Sequence, residues 1–200
     1  MDPQRSELGF GGLRLDALLH RFPAKTVRAA YVFINGFFSI AVMGGLSWLT
    51  GVPFVFPSLG PTAVLLFLTP MAPASSPRSA LLGHAIGILC GYGALLLFGL
   101  QSSPPALQAG FDLARVMAVA LSLGGAGGLM ILLGVVHPPA GATTMIVSLG
   151  ILAKPWQLAV LELAVVALVA QTVAVNRLAG LRYPLWEQTD ASVVGAGEGN

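Results

Sequence analysis

Four apolar runs, 31–50, 79–100, 113–136 and 156–176, constrain this chain more than any other feature. Each is long enough to cross a hydrocarbon core, which takes ~20 such residues as a helix. Turn-forming or charged residues hold each run apart from the next. Only 9% of the 200 residues are charged, where a soluble domain carries roughly 25%. The expected fold is therefore an all-α polytopic membrane protein in one compact domain, with no aqueous domain of ordinary size. Cys90 is the only cysteine and lies inside an apolar run, so no intrachain disulfide can form and cysteine usage says nothing about redox compartment.

The net charge of +2 is unevenly placed, because Arg5, Arg14, Arg21, Lys25 and Arg28 all precede the first run. That asymmetry predicts a cytoplasmic N-terminus and accounts for the basic balance without a nucleic-acid partner. A cleaved signal would have a shorter apolar stretch nearer the start. Within residues 1–30, Leu13, Leu15, Leu18, Leu19 and Phe22 stand among Arg14, Asp16, His20 and Arg21, up to Pro23. This pattern predicts a short interfacial helix on the cytoplasmic membrane surface. The membrane part covers 31–178, and 179–200 reads as a cytoplasmic tail, disordered over about its last ten residues. The expected location is the cell inner membrane, multi-pass, with both termini in the cytoplasm.

Two further segments are interrupted. Residues 52–69 read VPFVFPSLGPTAVLLFLT and 135–153 read VVHPPAGATTMIVSLGILA. Prolines and glycine at the start of each exclude continuous helix there, and about three turns of helix-compatible apolar sequence follow. The two correspond. Pro57, Gly60 and Thr62 fall on Pro138, Gly141 and Thr143 at one offset of 81 residues, giving P-x-x-G-x-T twice. Gly44 and Gly45 fall on Gly124 and Gly125 at 80, and His84 falls on Glu162 at 78. The chain thus reads as two repeats, about 31–100 and 112–178, each a span, a broken half-helix segment and a span.

Paired interruptions at matching places in two repeats point to a transporter binding site. A half-helix that starts inside the membrane turns its leading N–H groups and positive dipole end toward a site without bulk water, which suits an anion. Pro57, Ser58, Gly60 and Thr62 on one side, and His137, Pro138, Pro139, Gly141, Thr143 and Thr144 on the other, are the candidate binding residues. Proline has no donor to leave unpaired, glycine permits close approach, and the threonines offer hydroxyl donors. Threonine can instead bond back to its own helix.

The segment from His137 to Thr144, HPPAGATT, resembles the signature of the HPP family of integral membrane proteins, and Pro57-Ser58-Leu59-Gly60-Pro61-Thr62-Ala63 is similar to its companion motif. The resemblance covers about 27–178. Members of that family in cyanobacteria and plastids act as nitrite transporters, and some bacterial members carry a C-terminal regulatory nucleotide-binding domain. The resemblance implies transport of a small inorganic anion, nitrite foremost. The chain is expected to lack the regulatory domain. Asp2, Glu7 and Asp16 near the start fit a bacterial protein better than a plastid transit peptide.

Glu162 is the only acid well inside a long run, and reads as a proton carrier or gate or else as a partner of His84 or Arg115. His84 stands alone in an apolar helix, reads first as structural, and shares the proton-coupling assignment as Glu162's counterpart. Gly83, Gly87 and Gly91 form a small-residue stripe for close helix packing, and Gly124, Gly125, Ala126, Gly127 and Gly128 are read the same way. H-E-x-x-H, P-loop, G-x-S-x-G and paired cysteines are all missing from the sequence, so no enzyme, cofactor or metal is expected. The expected partners are a small inorganic anion and lipid, with a homo-oligomer left open. Alternatives to a carrier are an anion channel and a structural or assembly protein.

Two topologies compete. If both broken segments cross, there are six crossings and inverted repeats; if both are re-entrant, there are four crossings and parallel repeats. Five extended residues at ~3.3 Å and about twelve helical ones at ~1.5 Å reach roughly 34 Å, which favours six.

Overall fold

The computed structural model describes residues 14–187 and is helical throughout, in the order α1 (Leu15–Arg21), α2 (Ala24–Thr50), α3 (Leu59–Leu68), a 3₁₀ turn (Pro73–Ser75), α4 (Pro77–Leu97), α5 (Ala106–Ala109), α6 (Leu113–Leu132), α7 (Ala140–Ser148) and α8 (Pro155–Leu178). Helices α2, α4, α6 and α8 have 27, 21, 20 and 24 residues and are long and apolar enough to cross a membrane. The chain is a multi-pass membrane protein. The tail expected to be disordered, and Leu13 at the start of the interfacial pattern, lie outside the described residues; the helix expected there is α1.

Helix boundaries follow local chemistry. Pro23 precedes α2 and lets it begin seven residues before the first apolar run, so Lys25 and Arg28 lie on the helix itself. Ser76 caps α4 through its side chain, which accepts from Ser79 N, and Asp112 caps α6 by accepting from Arg115 N at 2.7 Å. The third span is shorter than expected: α6 stops at Leu132 because Gly134 takes a left-handed φ of 62° and turns the chain.

Hydrogen bonds between segments sort the loops into two ends. At one end, called here the terminal end, Leu15 N donates to Ala179 O at 3.0 Å. Arg78 donates there to Gly134 O at 2.9 Å and Leu133 O at 3.2 Å. Asn176 reaches Leu66 O near the end of α3 at 3.3 Å, and Tyr31 near the start of α2 donates to Asn176 Oδ1 at 2.6 Å. At the far end Arg115 donates to Ser148 O at 3.1 Å, and Ala106 N to Leu149 O at 2.9 Å. The segment through α7 therefore leaves the terminal end at Gly134 and finishes at the far end. The segment through α3 runs the other way.

Helix α4 lies at the centre, packed against α6, α7 and α8 and joined to α3 through the contact of Thr62 with His84. Leu59, Leu66, Leu95, Val147, Leu161, Val165 and Leu168 form the interior. Helix α2 is the outermost: Phe33, Phe37 and Trp48 are exposed, a surface that bilayer hydrocarbon solvates. Helix α6 buries one stripe, Arg115, Ala118, Ser122, Ala126 and Met130. Here the reading of the glycine-rich run needs correction. Only Ala126 points inward, and a Cβ at Gly124, Gly125, Gly127 or Gly128 would meet nothing within 4 Å. The run makes no close intrachain contact because the 3.6-residue period puts its glycines off the buried stripe.

Candidate functional site

Half-helices α3 and α7 start inside the bundle and point to opposite ends, so their first turns meet beside α4. The small-residue stripe on α4 makes the approach possible. A Cβ at Gly83 would sit 2.7 Å from His137 Cβ, and one at Gly87 would sit 2.8 Å from Ala140 O and from Thr144 Oγ1. At Gly91 it would lie 2.8 Å from Val147 Cβ. The stripe is read correctly as packing, and its partner is α7.

This contact assembles a polar cluster in which Thr62, His84, His137 and Thr143 have no solvent exposure. Thr62 Oγ1 lies 2.9 Å from His84 Nε2 and 3.4 Å from His137 Nε2, and also bonds back to Ser58 O at 2.9 Å. His84 Nδ1 lies 2.6 Å from Thr143 Oγ1. His137 Nδ1 faces Ala74 O at 2.8 Å, and the two imidazole centroids are 5.1 Å apart. Burial without these partners would cost roughly 1–3 kcal/mol per polar group.

Each candidate residue has a definite place. Thr62, His84, His137 and Thr143 come together. Ser58 enters through its carbonyl, while its own Oγ is buried without a partner. Thr144 is buried and bonds back to Ala140 O at 3.1 Å, which is the local alternative for a membrane threonine. Pro139 is buried, whereas Pro57 and Pro138 are exposed. Gly60 and Gly141 are half-buried beside open space: nothing lies within 4 Å of a Cβ at Gly60, and at Gly141 only Leu123 Cδ1 comes near, at 3.5 Å.

One premise of the sequence reading is corrected. The leading N–H groups of α7 are not free, because Ala140 N, Gly141 N and Ala142 N bond to His137 O, Pro138 O and Pro139 O. The His-Pro-Pro stretch enters the helix as a tight turn and uses these donors itself. The donors that reach the centre are side chains, and α7 contributes the orientation of its dipole.

Glu162 stays apart from this cluster. Its Oε2 is buried without a hydrogen-bond partner, and neither His84 nor Arg115 pairs with it. Among the described residues no three of His, Cys, Asp and Glu converge, so the imidazole pair lacks the third ligand of a zinc site.

Sequence reasoning missed the supporting contacts. Ala74 O holds His137, and its neighbour Ser75 O accepts from Tyr183 Oη. Burial, with the Tyr31 phenol adding to it, pushes the Tyr183 hydroxyl above its ordinary pKa and keeps it a donor. Backbone acceptors leave no mark in a sequence. Beyond the cluster, a cleft of ≈ 600 Å³ at the far end is lined by Gln101, Ser102, Ser103, Lys154 and Gln157 and contains no acid.

Four membrane-length helices around two half-helices, with an occluded imidazole–hydroxyl centre where the half-helices meet, define a helical membrane protein built around a polar interior site. The chain belongs to the HPP family: the family model described as HPP, transmembrane region, matches residues 22–184. That match spans both motifs and all four long helices. No curated protein and no solved structure matches the chain.

Proposed function

We propose that this protein carries a small inorganic anion, nitrite foremost, across the membrane through the Thr62–His84–His137–Thr143 centre. The observation that carries the reading is that Thr62 and Thr143, the matching threonines of the duplicated P-x-x-G-x-T, lie on the two nitrogens of one imidazole. Convergence of corresponding residues from two half-helices in a membrane interior is the arrangement of a transporter site. Two imidazoles, two hydroxyls and no carboxylate suit an anion. The family resemblance supplies nitrite as the first choice. Complete burial of the four side chains fits a carrier that alternates its access better than an open channel. Glu162 shares no hydrogen bond with the centre, so the reading gives proton handling to the histidines.

The test is uptake of nitrite, nitrate, formate and chloride into proteoliposomes by wild type, Thr62→Val and Thr143→Val. Valine keeps the shape and removes a hydroxyl worth about 1 kcal/mol or more. Each variant should insert normally and lose roughly five- to tenfold in uptake of the preferred anion. Undiminished uptake in both refutes the site.

The same reading makes the two halves inverted repeats with six crossings. Its support is that each broken segment leaves one end of the bundle and arrives at the other. With the five basic residues before the first apolar run held in the cytoplasm, the terminal end is cytoplasmic and the far end faces outward. In a Cys90→Ala background, an impermeant thiol reagent on intact cells should label Ser102→Cys and spare Thr69→Cys. The reverse pattern overturns six crossings in favour of four.

A further inference from the structure

The hydrogen bonds of the buried centre can be counted, and the count is one proton short. Five contacts connect it: His137 Nδ1 to Ala74 O, Thr62 Oγ1 to Ser58 O, Thr62 Oγ1 to His84 Nε2, Thr62 Oγ1 to His137 Nε2, and His84 Nδ1 to Thr143 Oγ1. Each contact needs one hydrogen between its two heavy atoms. The carbonyls of Ala74 and Ser58 bring none, a neutral imidazole brings one, and a hydroxyl brings one. Two neutral histidines and two threonines therefore supply four hydrogens for five contacts.

The assignment of the four is tightly limited. Ala74 O only accepts, so the His137 hydrogen sits on Nδ1 and its Nε2 becomes an acceptor. Ser58 O also only accepts, and at 2.9 Å it takes the Thr62 hydroxyl hydrogen. His84 Nε2 then donates to Thr62, and Thr143 donates to His84 Nδ1. What remains is His137 Nε2 facing Thr62 Oγ1 with no hydrogen between them. This is the longest of the five contacts, at 3.4 Å. The other His84 tautomer leaves two gaps and not one, because His84 Nε2 and His137 Nε2 then both face Thr62 as acceptors and the Thr143 hydrogen drops out of the set.

We infer that the centre takes up one proton together with each anion, so that transport is an electroneutral one-to-one cotransport of anion and proton. This deepens the proposed function and rests on it. A proton added to His137 Nε2 gives that nitrogen a hydrogen to donate to Thr62, which then accepts from both imidazoles and donates to Ser58 O. Every contact is satisfied, and the centre carries one positive charge. Without a counter-ion that charge is unfavourable in an interior closed to water, and an anion beside it removes the penalty. Proton and anion therefore each favour the binding of the other to the same degree. No covalent bond is made or broken; the proton comes from water and leaves with the anion.

Among the described residues no other charge substitutes for the anion. From α3 only Thr62 faces the imidazoles, from α7 only Thr143, and from the 3₁₀ turn only the Ala74 carbonyl. Arg78, nearer the start of α4, is bonded to Leu133 O, Gly134 O and Glu187. Arg115 on α6 is bonded to Ser148 O and Pro104 O at the far end, and Glu162 on α8 makes no hydrogen bond to the centre.

The experiment uses the full chain and nitrate, whose conjugate acid is too strong to cross lipid bilayers by itself. Nitrite binding is read in parallel in detergent. Proton uptake on anion addition is followed with a pH dye in weak buffer, and nitrate flux is measured in liposomes with and without a voltage clamp. The expected result is one proton per bound anion, an apparent affinity that falls toward tenfold per pH unit on the alkaline side, and flux indifferent to voltage. In His137→Gln the amide donates to Thr62 without titrating, so residual anion binding should take up no proton and lose its pH dependence. If that variant does not fold, the wild-type proton count decides alone. Anion binding without proton uptake, constant across pH, overturns the inference and leaves the anion site standing. No binding or flux of either anion at any pH overturns the site and the inference with it.

Discussion

Gly87→Ala is expected to destabilise the detergent-solubilised protein by about 1–3 kcal/mol and to reduce anion uptake by more than that loss of folded protein explains. The added methyl would sit 2.8 Å from Ala140 O and Thr144 Oγ1 and 3.4 Å from Thr144 N. Two of these atoms are backbone, and Ala140 O is further held by the Thr144 hydroxyl at 3.1 Å. No rotamer change can relieve the contact, so α7 must move away from α4 as a body. That displacement stretches the 2.6 Å contact between His84 and Thr143 and so reaches the site directly. Gly83→Ala, against His137 Cβ at 2.7 Å, should behave alike. The control is Gly93→Ala on the same helix, where a Cβ meets nothing within 4 Å. It should be neutral or stabilising by about 0.5–1 kcal/mol, the ordinary helix preference for alanine. Thermal unfolding of the three variants checks this, and equal midpoints for Gly87→Ala and wild type would contradict the packing account.

The difference between those glycines also marks how far the sequence could be read. Spans and half-helices were legible because length, hydropathy and proline interruption are local properties. Breaks at Pro57 and at His137-Pro138-Pro139 precede helices that begin at Leu59 and Ala140, close to where the apolar pattern resumes. The threonines were legible as candidates through duplication. The pairing of His84 was not: its contacts are with Thr62 and Thr143, 22 and 59 residues away, and not with its repeat counterpart Glu162. Nothing in the sequence says which neighbour occupies a glycine stripe. One signal was available, since His84 adjoins Gly83 and lies on the stripe side, so whatever packs against the stripe must also touch the histidine. Glycines four apart at Gly83, Gly87 and Gly91 share one helix face and are buried, whereas those around Ala126 spread over several faces and are exposed; which face of α4 is covered, and by what, is not written in the sequence. Only the position of the surrounding helices decides that.

Arg115→Ala is expected to cost about 3 kcal/mol or more, because two charge-assisted hydrogen bonds of about 1.5–3 kcal/mol each are lost in an interior position. Arg115 is 3% exposed and has no carboxylate partner among the described residues. Its guanidinium is held by backbone carbonyls, Ser148 O at 3.1 Å and Pro104 O at 3.0 Å. Ser148 is the last residue of α7, so the cation sits at the negative end of that half-helix and stabilises it. The fork also fixes the α4–α6 connection against the end of α7. Gly150 makes room for it: with φ at 79° it is suited to glycine, and a Cβ there would lie 3.1 Å from Arg115 Nη1. Arg115→Lys should recover less than half of the loss, since one ammonium cannot reproduce the planar fork to both carbonyls. Arg78→Ala serves as the comparison. Arg78 also bonds two carbonyls, but it is an exposed-end contact shared with Glu187, and its removal should cost no more than about 1 kcal/mol. The ordering Ala below Lys below wild type at position 115, with position 78 nearly neutral, is read from unfolding midpoints in detergent. An Arg115→Ala protein as stable as wild type would mean that the end of α7 is held by its apolar contacts with α4 alone.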